Sequence, residues 1–347
     1  MGYFEVVLLH CLNKIGNERT PISIYHLLKG KKSVQTIQDS KLFGLSQWFN
    51  TYPQLTKKQL NETITHLHRE KLIINDHSHY SLTDKAIELL HIHSNQIPPK
   101  YLNGWKYHTV DQIFWKRLNL VVQVIPYWEK GDQQFFPVQR DPDIQYWVKS
   151  FLLSNKTNKK WLVEQIHREL ETFFEMVEDY SDPLYFLLRF SGYKKTGLTE
   201  EQVAQFYNVD LFYYITHFRA ILHHLMKIAW EKRGYFPVLY RIYQDLFRTI
   251  PLTKTAETTY KLFNQGYSIE KIAKIRHLKV QTIEDHIVEI AFMDPSFSID
   301  QFVNKNTQQK VLQIVHQMKT KKLKEIKKQL DPIDYFSIRL VLAKLGE

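Results

Sequence analysis

Residues 266–273 read Gly266-Tyr267-Ser268-Ile269-Glu270-Lys271-Ile272-Ala273, and residues 282–287 read Thr282-Ile283-Glu284-Asp285-His286-Ile287, with Arg276-His277-Leu278 between them. Gly266 suits the left-handed turn that closes a helix, since a residue without Cβ enters that region freely. Ser268 offers its hydroxyl oxygen to the free N–H groups of the next helix. That helix, Ile269 to Ile275, turns Ile272 and Ala273 inward, and the small Ala273 lets another helix cross close by. After the turn, Val280 to Ile290 carries Ile283, Ile287 and Ile290 at spacings of four and three, one buried stripe. Two short helices joined by a tight turn predict a helix-turn-helix.

The flanks continue the helical period, at Thr255 to Asn264 before Gly266 and at Leu312, Val315 and Met318 after it. The exposed positions expected on the second helix are Gln281, Glu284, Asp285 and Glu289. Two of these acids would repel phosphates, although a carboxylate can accept from cytosine, so groove reading and docking of a protein both stay open for this helix. Lys279 and Gln281 are its candidate DNA contacts. Further on, Lys319, Lys321, Lys322, Lys324, Lys327 and Lys328 cluster around the inward-facing Leu323, Ile326 and Leu330. Of these, Lys321, Lys322, Lys324 and Lys328 are candidate contacts to a DNA backbone, against the alternative of a solvated charged face. The quoted stretches, with Leu323-Lys324-Glu325-Ile326 and Ile338-Arg339-Leu340-Val341-Leu342-Ala343, resemble the helicase helix-turn-helix domain. That domain recurs at the carboxy end of some RecQ helicases, and the resemblance covers about residues 252–345.

At the amino end, Thr56-Lys57-Lys58-Gln59 has the form of a capping box, in which the hydroxyl and the amide satisfy two free backbone donors. Leu60, Ile64 and Leu67 follow as a buried stripe, with Lys58, Asn61, Thr65 and Arg69 on the other face. Leu72-Ile73-Ile74, a polar tip from Asn75 to His79, and Tyr80-Ser81-Leu82 predict strand, turn, strand, and Thr83-Asp84-Lys85 opens another helix. A helix followed by a two-stranded wing is the winged-helix pattern, whose second helix can enter a major groove.

Leu28-Lys29-Gly30-Lys31-Lys32-Ser33, Leu42 to Leu45, Thr56 to Leu72 and Leu82-Thr83 together resemble the RecQ carboxy-terminal (RQC) winged helix over about residues 24–90. The resemblance implies that Lys31, Lys32 and Ser33 meet the DNA backbone, joined by Lys57, Lys58 and Asn61 on the recognition helix, whose first N–H groups favour anions. The four-cysteine zinc module and the ATPase motifs of that family are missing. Gly30-Lys31-Lys32-Ser33 is no phosphate loop, because that motif needs a glycine where Tyr25 stands.

The middle of the chain is aromatic and helical. Thr199 with Gln202 makes a second capping box, and Leu211 to Ile215 starts a helix too apolar to read a groove, so a buried structural pair is expected. The aromatics at helical spacing, such as Phe173-Phe174 and Tyr240 with Tyr243, read as core rather than as base-stacking platforms. His217, His223 and His224 are spaced by six and seven, which does not match helical zinc ligation, and His66/His68, His77/His79 and His91/His93 do no better. No metal, cofactor or catalytic constellation is expected.

The 347 residues carry 47 Lys and Arg against 36 Asp and Glu, a formal charge of +11 that favours a polyanionic partner. The single cysteine, Cys11, forbids an internal disulfide and a cysteine-rich zinc site. No signal peptide or membrane-length apolar run is visible, which predicts a cytoplasmic protein. The expected fold is mainly α, in three domains: a winged helix at 1–97, a helical domain at 98–250 and a helix-turn-helix domain with following helices at 251–347. An RQC-like start, an aromatic middle and this ending resemble bacterial YpbB-type proteins, a family associated with a short RecQ-type helicase. The resemblance implies a non-enzymatic DNA-binding accessory subunit, with DNA and a RecQ-type helicase as partners. A transcriptional regulator and a protein-interaction scaffold without DNA contact are the alternatives.

Overall fold

The computed structural model describes residues 1–76, 79–93, 97–132, 134–318 and 320–345. Among them are nineteen α-helices and one two-stranded antiparallel sheet, so the fold is mainly helical. In chain order come α1 (Tyr3–Ile15), α2 (Pro21–Leu28), α3 (Val34–Leu42) and α4 (Lys57–Arg69). Strands β1 (Ile73–Asp76) and β2 (His79–Leu82) follow, then α5 (Asp84–Ile92). The middle supplies α6 (Gly104–Tyr107), α7 (Asp111–Lys130), α8 (Pro142–Leu153), α9 (Lys159–Glu178), α10 (Leu184–Leu187), α11 (Glu200–Phe206), α12 (Leu211–Glu231) and α13 (Pro237–Tyr243). The last six are α14 (Lys254–Asn264), α15 (Ile269–Arg276), α16 (Val280–Met293), α17 (Lys305–Met318), α18 (Leu323–Gln329) and α19 (Tyr335–Lys344).

The chain divides into two compact units. One comprises residues 1–6 with 93–248, the other residues 7–92 with 249–347. The two ends of the chain, which local sequence patterns present as separate segments, therefore share one unit. The reason is packing: α16 lies against α3 as well as against α14, α15 and α19, and α3 also meets α19.

The middle unit is an aromatic core. Phe114, Phe173, Phe186 and Tyr214 are fully buried, and Phe186 stacks on Phe218 with ring centroids 4.9 Å apart. Thr199 and Gln202 form the expected capping box on α11, and Asp210 Oδ1 accepts from Phe212 N and Tyr213 N to start α12. α12 is largely interior, with Tyr214, Ile221 and Leu225 fully covered, and α11 turns Val203 and Ala204 toward it while its other face is exposed. The expected structural role of this pair is thus observed. Glu169, itself buried, caps α13 by accepting from Val238 N and Leu239 N, both at 2.9 Å. The histidines of α12 are packing residues. His223 Nδ1 accepts from Asn103 N at 3.0 Å while its Nε2 faces Asp111, and His224 stacks on Tyr101 and meets the Tyr180 hydroxyl at 2.9 Å.

Candidate nucleic-acid interface

The predicted candidates all lie in the unit formed by the two chain ends. Helix α4 begins at the Thr56–Gln59 capping box, in which Thr56 N donates to Gln59 Oε1 at 2.9 Å and Gln59 N to Thr56 Oγ1 at 3.2 Å. Leu60 and Leu67 are buried beneath it. Lys57, Lys58, Asn61, Thr65 and Arg69 stand exposed on the opposite side. A shallow groove runs along that side, lined by Lys58, Asn61, Glu62, Thr65, His66 and Arg69. Lys58 sits 3.8 Å from Glu62, both strongly exposed, a pairing worth little in water. Strands β1 and β2 follow at once, in register Ile73 with Leu82 and Asp76 with His79. Thr83 Oγ1 donates to Lys71 O at 2.9 Å, and Ser81 Oγ to Asn17 Oδ1 at 3.2 Å, which hold the hairpin to its unit.

The loop between α2 and α3 presents Lys31 and Lys32 to solvent. Gly30 makes it possible. Its φ of +70° is a left-handed conformation, and a Cβ there would lie 2.5 Å from Asn50. Ser33, at the end of this loop, caps α3: its hydroxyl accepts from Thr36 N and bonds Thr36 Oγ1 at 2.8 Å. Burial lowers the pKa of His26, and so do the positive fields of Lys31 and Lys57. Both lysines therefore face the same neighbourhood, although 26 positions separate them in the chain.

The helix-turn-helix forms as predicted. Gly266 has φ +86°, Ser268 Oγ accepts from Lys271 N, and the turn passes through His277 in the left-handed region. Ile272, Ile283, Ile287 and Ile290 are fully buried. Its second helix, α16, differs from the expectation in one respect. Glu289, assigned to the exposed side, is only 6% exposed. Its carboxylate accepts from Thr253 N at 2.5 Å and from the Thr253 hydroxyl at 3.0 Å, bracing the start of α14. Burial raises its pKa, against a lowering contribution from Lys32. Asp285 is also engaged, 2.6 Å from Arg339 Nη2. The Gln38 amide oxygen, turned toward the same guanidinium, accepts from Arg339 Nε and Nη2 at 2.8 and 2.6 Å. Of Glu284 and Asp285, the two acids that sequence placed against phosphates, Asp285 is paired with Arg339 of α19, while Glu284 remains partly exposed. Lys279 and Gln281, in the first turn, stay exposed.

Sequence reasoning passed over His286. Its Nε2 bonds the Thr255 hydroxyl at 2.7 Å and its Nδ1 the Thr259 hydroxyl at 2.8 Å, while Arg276 donates to Thr255 O at 2.7 Å and to Thr259 Oγ1. Burial, then Arg276, pushes its pKa down to about 4. The ring is a neutral bolt between α14 and α16. Helical spacing alone puts position 286 between faces, so only the two threonines on α14 could have signalled it.

The late basic cluster divides. Lys321 is structural: its backbone N–H donates to both Glu18 carboxylate oxygens at 2.9 Å, and its ammonium donates to Leu42 O. Lys322 lies 3.8 Å from Glu325, and Lys327 pairs with Asp331 at 2.9 Å. Lys324 and Lys328, one helical turn apart on α18, are exposed. Ile326 and Leu330 face inward as expected. Lys319 and His77 lie outside the described residues. Among the described residues, no group of three or more His, Cys, Asp or Glu is placed to hold a metal ion, and no helix is long and apolar enough to cross a membrane.

A helix-turn-helix domain family matches residues 255–342, the span of α14 to α19. Protein YpbB of Bacillus subtilis (strain 168) is 30% identical over 348 residues, covering 99% of this chain and 98% of its own. The chain belongs to the YpbB family. No solved structure matches it. For this YpbB-family chain, the match to the helix-turn-helix domain points to DNA binding, and the matched span holds Lys279, Gln281, Lys324 and Lys328.

Proposed function

We propose that this protein is a non-enzymatic, cytoplasmic, DNA-binding accessory subunit of a RecQ-type DNA helicase, serving replication, recombination or repair. The observation that carries the proposal is the exposed polar face of α4, with Lys57, Lys58, Asn61 and Arg69, together with Lys31 and Lys32 exposed on the α2–α3 loop. Helix α4 and the β1–β2 hairpin have the order of a winged helix similar to the RQC module, with α4 as the groove helix and the hairpin as the wing. The lysines would hold phosphates, which fixes orientation but carries little sequence information. A helicase that lacks such a module would gain a duplex grip from this one. Lys279 and Gln281 extend the contact at the start of α16, whose Ile283, His286, Ile287 and Glu289 are buried. Lys324 and Lys328 offer a further backbone contact.

A protein-interaction scaffold is the second reading, and the enclosure of α16 favours it. Footprinting on forked DNA of arbitrary sequence, with and without a purified RecQ-type helicase, separates the possibilities. Protection that follows the junction, with faster unwinding by the helicase, supports the accessory role. Protection of one defined sequence points to a transcriptional regulator, and no protection at low salt leaves the scaffold.

A further inference from the structure

Beside the carboxy end of α7, in the middle unit, the ammoniums of Lys130 and Lys194 both lie over the Tyr193 ring, 3.8 and 5.2 Å from its centroid. Lys195 follows in the chain, and all three lysines are exposed. The turn that carries the last two is tight: Gly192 N donates to Lys195 O at 2.9 Å and Lys195 N to Gly192 O at 3.3 Å. At its tip Lys194 holds φ +56°, a left-handed conformation that is strained for a lysine and open to a glycine. Its backbone N–H donates to the Tyr127 hydroxyl at 2.8 Å, and the Tyr127 and Tyr193 rings are 4.7 Å apart. The loop after α7 is fastened to the same neighbourhood. Gln123, itself buried, donates from Nε2 to Phe136 O at 3.0 Å and accepts at Oε1 from Val138 N at 2.8 Å. Phe135 packs on Tyr127 with centroids 4.9 Å apart, while the next ring, Phe136, is 96% exposed. Asp132 is already engaged, accepting from the Tyr193 hydroxyl at 3.1 Å and from Gln134 N at 2.9 Å; Glu129 is exposed. Lys159 adds a further cation, donating to Trp128 O and lying 5.1 Å from the Trp128 ring centroid. The negative end of α7 accounts for Lys130 and Lys159. It does not account for Lys194 and Lys195, which stand on a separate turn and, among the described residues, are in no ion pair.

We propose that Lys130, Lys194 and Lys195 with Phe136 form a binding site for single-stranded DNA. The ammoniums hold phosphates and the exposed phenyl ring takes an unpaired base. Lysines in excess over the nearby carboxylates select a polyanion, and the exposed ring selects among polyanions. A duplex keeps its bases stacked on one another, whereas a single strand offers a base face to an aromatic side chain. The strained Lys194 places a cation where glycine would be the easier residue, as binding sites do at a cost in stability. The inference rests on the accessory-subunit reading above and gives the middle unit a DNA site of its own, separate in residues from the lysines of the end unit.

The test titrates the full-length protein, as wild type, Phe136→Ala and Lys194→Gly, with a fluorescent oligothymidylate of about 16 nucleotides and, in parallel, with a blunt duplex, across salt concentrations. Phe136→Ala is expected to weaken oligothymidylate binding by about 10-fold with the salt slope kept, because stacking releases no counterion. Lys194→Gly is expected to weaken it by about 3-fold or more and to make the log–log slope shallower by about 0.7. Its melting temperature should be unchanged or raised, since the strain is relieved and the backbone N–H to Tyr127 is kept; a lysine with a purely structural role would give the opposite. Duplex binding should be equal in all three proteins. Oligothymidylate affinity equal in wild type and folded variants, or duplex binding by wild type without any for oligothymidylate, overturns this site and leaves the accessory role standing. Equal weakening of duplex and single strand overturns the single-strand assignment. Polyglutamate that displaces oligothymidylate at matched charge, with Phe136→Ala without effect, assigns the lysines to an acidic protein and overturns the proposal. Wild type that binds neither DNA at low salt overturns both this site and the DNA grip of the accessory reading.

Discussion

Glu289 grips Thr253 with both carboxylate oxygens, one on the backbone N–H and one on the hydroxyl. This bond turns the second helix of the helix-turn-helix from a projecting reader into the centre of a packed unit. Removing the carboxylate leaves two buried donors unpaired, so Glu289→Ala is expected to cost about 2–4 kcal/mol. Glu289→Gln keeps an acceptor for Thr253 N and is expected to cost about 1 kcal/mol or less near neutral pH. The raised pKa gives a sign: the folded state holds the proton more tightly, so this group's contribution to stability falls as pH rises from the ordinary glutamate value through the raised one. Chemical denaturation of Glu289→Gln across that window should show the wild-type slope flattened.

His286 predicts the opposite limb. Its folded pKa of about 4 lies below the ordinary 6.5, so its contribution is complete above 6.5 and is lost as pH falls toward 4. The wild type should lose on the order of 2 kcal/mol more than His286→Gln over that range. Urea midpoints of the two proteins, compared at each pH, isolate this ring from the other buried histidines.

Gly30 sets the loop that carries Lys31 and Lys32. Gly30→Ala meets Asn50 at 2.5 Å and is strained by the left-handed backbone, so it should destabilise by about 2–3 kcal/mol. Trimming the obstacle in Gly30→Ala/Asn50→Gly should recover all but about 1 kcal/mol, since only the φ penalty is left. A double-mutant cycle measured by denaturation checks the coupling.

Lys321 and Lys324 should behave as different kinds of lysine. Lys321→Glu repels Glu18 and abandons Leu42 O, and it should lower the melting temperature. Lys324→Glu changes an exposed side chain and should leave the melting temperature within about 2 °C, acting only on DNA affinity. Calorimetry and DNA titration of the two variants distinguish these outcomes.

Much of this was legible in the sequence where the determinants are local. Both capping boxes, the Gly266 and Ser268 signals, the isoleucine stripe of α16 and the hairpin after α4 depend on neighbours within one or two turns. What stayed hidden depends on distant segments. Nothing near Glu289 indicates that Thr253, 36 residues earlier, needs its carboxylate. Nothing near Lys321 indicates that Glu18 and Leu42 wait for it about 300 positions away. Periodicity identifies a polar face but not which remote element covers it, so the acidic side of α16 looked like open surface.

The most direct measurement is the salt dependence of binding to a fluorescent DNA fork of arbitrary sequence, for wild type and for Lys31→Glu/Lys32→Glu/Lys57→Glu/Lys58→Glu. Loss of four phosphate contacts predicts a log–log slope shallower than that of wild type by about 3.6, with the contacts from Lys279, Lys324 and Lys328 retained. The account predicts this difference in slope, with the affinity of the folded variant reduced by about 100-fold or more. Equal affinity and equal slope in the two proteins would contradict it.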